Sequence, residues 1–87
     1  MMKWQEIRQR YPKAWLLLEA IEAHTEGDKR ILESLAVISS LSDSQEAMKA
    51  YAKLHQDEPQ RELFVFHTDR EQLDVTIRRW LGIRGLP

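Results

Sequence analysis

The residues best equipped for chemistry in this chain are His24, His55 and His67, with Asp69 two positions after the last. An imidazole can exchange a proton near neutral pH and can ligate a metal. A small hydrolase-type enzyme could use His67, Asp69 and His24, provided folding brings all three to one substrate proton. The spacing offers little support. The histidines lie 31 and 12 residues apart, whereas zinc sites show tight local spacing such as His-x-x-x-His on one helix. Glu22 stands beside His24 as a ligand-type neighbour. The plainer reading is three surface histidines, with His55 complementing a helix C-terminus. Thr68-Asp69 reverses the Asp-Thr order of aspartic proteases, and no glycine follows it. A turn beginning at Asp69 fits better, because its side chain can bond nearby backbone groups.

Other chemistries fare no better. Ser39, Ser40 and Ser42 lie near no evident base, and their positions suit a strand end and a helix cap. Asp57 and Glu58 sit beside Pro59, the composition of a solvent-facing loop. The three glycines stand apart at positions 27, 82 and 85, so no phosphate-cradling loop forms. With no cysteine, disulfides, thiolate zinc sites and cysteine nucleophiles are excluded. No catalytic residue, metal ligand or cofactor is assigned, and the expectation is a protein that is not an enzyme.

Charge is segregated although the net value is −1. Lys3, Arg8, Arg10 and Lys13 outweigh Glu6 near the N-terminus. Arg78, Arg79 and Arg84 lie near the C-terminus, and Glu19, Glu22, Glu26 and Asp28 concentrate negative charge between. Should the termini meet, Trp4, Tyr11, Arg78, Arg79, Trp80 and Arg84 would form a basic-aromatic patch. Such a patch can hold a partner, an anion or single-stranded nucleic acid through phosphate contacts and stacking. Nucleic acid ranks below a protein partner, because the chain as a whole is not basic. The competing reading makes Trp4, Tyr11 and Trp80 core or lid residues.

These groups must be positioned by 87 residues, enough for one small core. The composition, 43% hydrophobic with three glycines and three prolines, is that of a folded domain. The longest apolar run, Ala14 to Leu18, is far short of the ~20 residues that span a membrane. The first residues lack the apolar stretch of a signal peptide. A cytoplasmic protein is expected.

Lys3 to Tyr11 suits a short helix, with Trp4, Ile7 and Tyr11 on one face and Pro12 ending it. Ala14 to His24 matches helix and strand templates about equally. As a strand it is apolar on both faces, with Leu16, Leu18 and Ala20 opposite Trp15, Leu17 and Ile21. The segment Arg30 to Leu41 alternates as a strand. Gly27-Asp28 supplies the permissive backbone a hairpin needs. Together they favour a hairpin over residues 14–41. Ser42 or Asp43 can cap a helix over 43–55, with Gln45 or Glu46 at the capping-box spacing and Ala47, Tyr51 and Leu54 as its stripe. Strands are expected near 62–67, where Val65 stands between Phe64 and Phe66, and near 73–78.

Tyr11-Pro12-x-x-Trp15, followed by the apolar strand, resembles a loose group of short uncharacterised bacterial ββαβ-type proteins. Some are encoded beside retropepsin-like aspartic proteases. The resemblance covers Tyr11 to about His67, with Arg79 to Arg84 in closer relatives. It implies a companion role and supplies no catalytic residue.

The expected fold is a single α+β domain. A small, mainly antiparallel sheet of three or four strands carries the 43–55 helix on one face. The core is expected to contain Trp15, Leu17, Ile21, Leu35, Val37, Ala47, Tyr51, Leu54, Phe64 and Phe66. The expected function is a non-enzymatic protein-interaction module or companion subunit, working through a strand edge or the apolar-basic tail. A homodimer is expected, its interface two-fold if the N-terminal helix or the tail packs on a neighbouring copy.

Overall fold

A long β-hairpin organises the molecule. The computed structural model describes residues 1–73, 75 and 76. The hairpin strands are β1 (Trp15–Glu26) and β2 (Lys29–Leu41). They turn at Gly27-Asp28, where Gly27 adopts φ +62°, a conformation a side chain would strain. The strand reading of residues 14–24 is therefore correct. Tertiary pairing on both sides of β1 overrides the helix propensity of its leucines and alanines.

A short helix, α1 (Trp4–Arg10), precedes the hairpin, and α2 (Ser44–Asp57) follows it. Glu6 accepts the Lys3 N–H at the start of α1, at 3.0 Å. Asp43 caps α2 by accepting the Glu46 N–H at 2.8 Å. The helix runs two residues beyond the expected His55 and ends against Pro59, which drives the preceding residue out of helical geometry. Strand β3 (Leu63–His67) and the two-residue β4 (Val75–Thr76) complete an antiparallel sheet of order β3-β1-β2-β4. Of the expected strand over 73–78, Val75 and Thr76 are strand and Leu73 is not, and positions 74, 77 and 78 lie outside the described residues.

β3 and β2 both run antiparallel to β1, so they run parallel to each other with β1 between them. α2 must therefore return the chain across β1, and it packs on all three strands. It covers the face carrying Leu17 and Leu63, where Ala47 is its buried residue. The opposite face is covered by α1. There Trp4, Ile7, Leu16, Leu18, Leu35 and Phe66 form the main core, with the Trp4 and Phe66 rings edge to face at 5.9 Å. The N-terminal helix thus folds back on its own sheet.

The expected core requires correction. Leu17, Leu35, Ala47 and Phe66 are buried. Trp15, Val37, Tyr51, Leu54 and Phe64 are only half-buried. Ile21 is 42% exposed. It is the extra residue of a bulge between the Ala20–Leu35 and Glu22–Ser34 pairs, and it lies past the last β1–β3 pair at Glu19–Leu63. A bulged residue loses its cross-strand neighbour, and among the described residues no third strand replaces it. Leu16 and Leu18 are fully buried in its stead, on the α1 face.

Candidate edge-strand interface

The two edges of the sheet are built differently. On the β2 side, Met2 forms an antiparallel bridge with Leu35, each donating to the other's carbonyl at 2.8 Å. β4 pairs with Lys29 and Arg30 further along. β3 forms the other edge, and among the described residues no strand pairs with it on the side away from β1. Glu62 C=O accepts from Ala20, and Thr68 N–H donates to Ala14 C=O, both at 2.9 Å. Even-numbered residues here therefore turn their backbone groups toward β1, and Leu63, Val65 and His67 turn theirs outward. Leu63–His67 contains neither lysine nor proline, the residues that commonly guard such edges.

Beside this edge runs a groove of about 390 Å³, lined by Met48 and Tyr51 of α2 and by Leu63, Phe64 and Val65. Met48 is 53% exposed. It also lines an adjoining groove of about 530 Å³ with Ser44, Gln45, Lys49 and Ala52. Tyr51 is held in place by stacking on His55 at 5.5 Å. The strand itself is pinned at its start by the ion pairs of two arginines. Arg61 donates to Glu19 at 2.6 Å and to Glu58 at 3.3 Å. Arg30 grips Glu62 with two parallel bonds of 2.8 Å. The hydrogen bond from Arg61 holds the Glu19 carboxyl below its ordinary pKa, against a smaller opposing effect of burial. The bonds from Arg30 act likewise on Glu62.

At its far end β3 meets Thr68, whose side chain is almost wholly buried. The Thr68 hydroxyl accepts the Ala14 N–H at 2.9 Å, and its carbonyl accepts Arg8 Nε at 2.9 Å. Neither composition nor spacing marks this residue. The one sequence signal was its place between an apolar run and Asp69.

The histidines do not converge. His67 lies edge to face against Trp15 at 5.0 Å, and its Nδ1 accepts the Asp69 N–H at 3.0 Å. The Asp69 carboxylate stands 3.8 Å from the same nitrogen, and turn formation at Asp69 is as expected. His24 lies nine residues further along β1 than Trp15, roughly 30 Å away at strand rise. There it bridges Glu26 at 2.6 Å and Glu33 at 2.5 Å near the hairpin tip. Those two carboxylates raise its pKa. The constellation of His67, Asp69 and His24 is therefore not assembled. Among the described residues no group of three or more histidine or carboxylate side chains is placed to hold a metal ion.

Of the expected basic-aromatic patch, Trp4 and Tyr11 lie among the described residues. Trp4 is 7% exposed, and its indole N–H donates to the Arg70 carbonyl at 2.8 Å. Tyr11 packs half-buried against the same core. Both serve the core, the competing reading for these aromatics. Arg78, Arg79, Trp80 and Arg84 lie outside the described residues. No helix among the described residues is long and apolar enough to cross a membrane. In comparisons with known proteins, the chain matches no family model, no curated protein and no solved structure.

Proposed function

We propose that this chain is a non-enzymatic protein-interaction module, a companion subunit of the bacterial cytoplasm, and that it binds through the β3 edge. One observation carries the reading. β3 presents outward backbone groups at Leu63, Val65 and His67 beside an apolar groove under Met48 and Tyr51. Strand addition to such an edge draws affinity from main-chain hydrogen bonds and selectivity from adjacent side-chain pockets. The rigid attachment of β3, through Arg61, Arg30 and Thr68, supports the same reading. An edge that is already ordered loses little entropy when a partner strand docks.

Amide hydrogen exchange tests the proposal. In dilute isolated protein, the amides of Leu63, Val65 and His67 should exchange much faster than those of Phe64 and Phe66. A bound partner should slow the odd-numbered set. Strong protection of those three amides in the single-chain species would mean that the chain itself covers the edge, and the reading would fail.

A further inference from the structure

We infer that the occupant of the β3 edge is the β3 edge of a second copy, paired antiparallel about a two-fold axis through Val65. The inference rests on the edge-binding reading above and names its partner. Backbone parity selects the axis. Val65 turns both its N–H and its C=O away from β1, so two copies related at Val65 exchange two hydrogen bonds between their Val65 residues. In that register Leu63 stands opposite the second copy's His67, twice by symmetry. The His67 N–H reaches the facing Leu63 carbonyl. The His67 carbonyl already accepts the Arg70 N–H at 3.1 Å. Four backbone bonds thus join the copies.

Side-chain order favours the same register. Just outside the paired strands, Arg61 of one copy comes to the same end as the second copy's Asp69 in the turn after β3, again twice, and the Asp69 side chain is 71% exposed. Phe64 falls opposite Phe66. Centring the axis on Leu63 would oppose Glu62 to Phe64 and Arg61 to Val65. Centring it on His67 would oppose Asp69 to Val65. Both alternatives shorten the overlap and set charge against apolar side chains. The axis at Val65 uses all five residues of β3 and pairs opposite charges at its ends. It also sets both α2 helices on one face of the joined sheet. The two grooves lined by Met48, Tyr51, Leu63 and Val65 then meet along one apolar seam.

The opposite edge explains why assembly would close at two. Head-to-tail addition of β3 onto β2 of another copy would propagate into a fibre. Met2 at Leu35 and β4 at Lys29–Arg30 obstruct that edge. Pairing of like edges joins the two sheets into one and leaves the partly obstructed β2 sides outside.

Sedimentation velocity on the full chain tests the inference. The wild-type protein should run at twice the chain mass of 10.3 kDa. Asp69→Arg should weaken dimerisation about tenfold, since both end pairs become like-charged. Arg61→Asp should do the same. An equimolar mixture of the two variants should regain wild-type association, because each facing pair is again opposite in charge. Arg61 also holds Glu19, so Arg61→Asp is checked for folding by circular dichroism. If it does not fold, Val65→Pro replaces it. That change removes the outward N–H and spares the β1 ladder, and it should abolish the dimer. A dimer that Asp69→Arg leaves unchanged overturns the proposed register. A single-chain mass at every concentration up to about 1 mM overturns the inference. If the odd-numbered β3 amides exchange freely in that monomer, the edge-binding reading survives for another partner. If they are protected, both fall.

Discussion

The two faces of the sheet are covered by helices of unequal length, and the shorter one covers more thoroughly. α1 has seven residues and seals a core of Trp4, Ile7, Leu16, Leu18, Leu35 and Phe66. α2 has 14 residues, yet of its own side chains it buries Ala47 alone, and it leaves Met48 53% exposed. Helix length is therefore a poor guide to burial here. α1 presents an indole and an isoleucine to large leucines. It is also clasped at the rim, by Trp4 to the Arg70 carbonyl at 2.8 Å, Gln5 to the Glu71 carbonyl at 2.7 Å and Arg8 to the Thr68 carbonyl at 2.9 Å. A helix so short is not stable alone, and these contacts hold it to the sheet. α2 presents alanines and a half-buried tyrosine, and a groove remains at the strand edge.

Mutations should separate the faces. Leu18→Ala, at a fully buried site of the α1 face, should cost about 3 kcal/mol, by the usual cost of emptying a core site. Tyr51→Ala, half-buried on the α2 face, should cost about half that. Urea denaturation of both variants checks the ranking. Equal losses would erase the distinction between a sealed face and a thin one. Thr68→Val keeps the shape of the side chain and leaves the Ala14 N–H without its acceptor. A loss of about 1–2 kcal/mol is expected, and if thermal melting shows none, the α1 face does not depend on that clasp. On the α2 side, Asp43→Ala should cost about 1 kcal/mol by uncapping the helix. Exchange should accelerate in the first turn of α2 while the amides of β1 stay protected.

Titration should have the smallest effects, and of opposite sign at two places. The folded-state pKa values of Glu19 and Glu62 are lowered by their arginines. Their stabilisation is present above the ordinary glutamate value of about 4.3 and is lost as pH falls through their folded values. Acid should therefore loosen the attachment of β3 first, visible as faster exchange at Phe64 and Phe66. The pKa of His24 is raised by Glu26 and Glu33. Its contribution is present below about 6.5 and lost as pH rises through its folded value. The effect should stay at the hairpin tip. An NMR titration of His24 should move back toward the ordinary value in the Glu26→Gln, Glu33→Gln double variant.

Much of the architecture was readable without the structure. The alternation of Arg30 to Leu41, the Gly27-Asp28 turn and the cap at Asp43 each act over a few residues. Local physics is enough to reveal them. The exposure of Ile21 is hidden from the sequence because a bulge and the end of β3 are properties of pairing between segments. The separation of His24 from His67 was invisible for a related reason. Both flank or belong to a β1–β3 pair whose register no short stretch of chain encodes.

Composition, turn chemistry and apolar patterning by themselves determined an α+β chain with an apolar hairpin, a capped helix and a following strand. They also determined that β1 would be covered on both faces, because Trp15 to Leu18 is apolar without alternation. Only the tertiary structure decided that α1 does half of that covering, that Trp4 and Tyr11 serve the core, and that β3 lies at an edge. The physical reason is that strand order is a choice among non-local pairings. Each pairing satisfies the same backbone groups equally well. The choice among them is made by side chains far apart in sequence, here Arg30 with Glu62, Arg61 with Glu19 and Thr68 with Ala14.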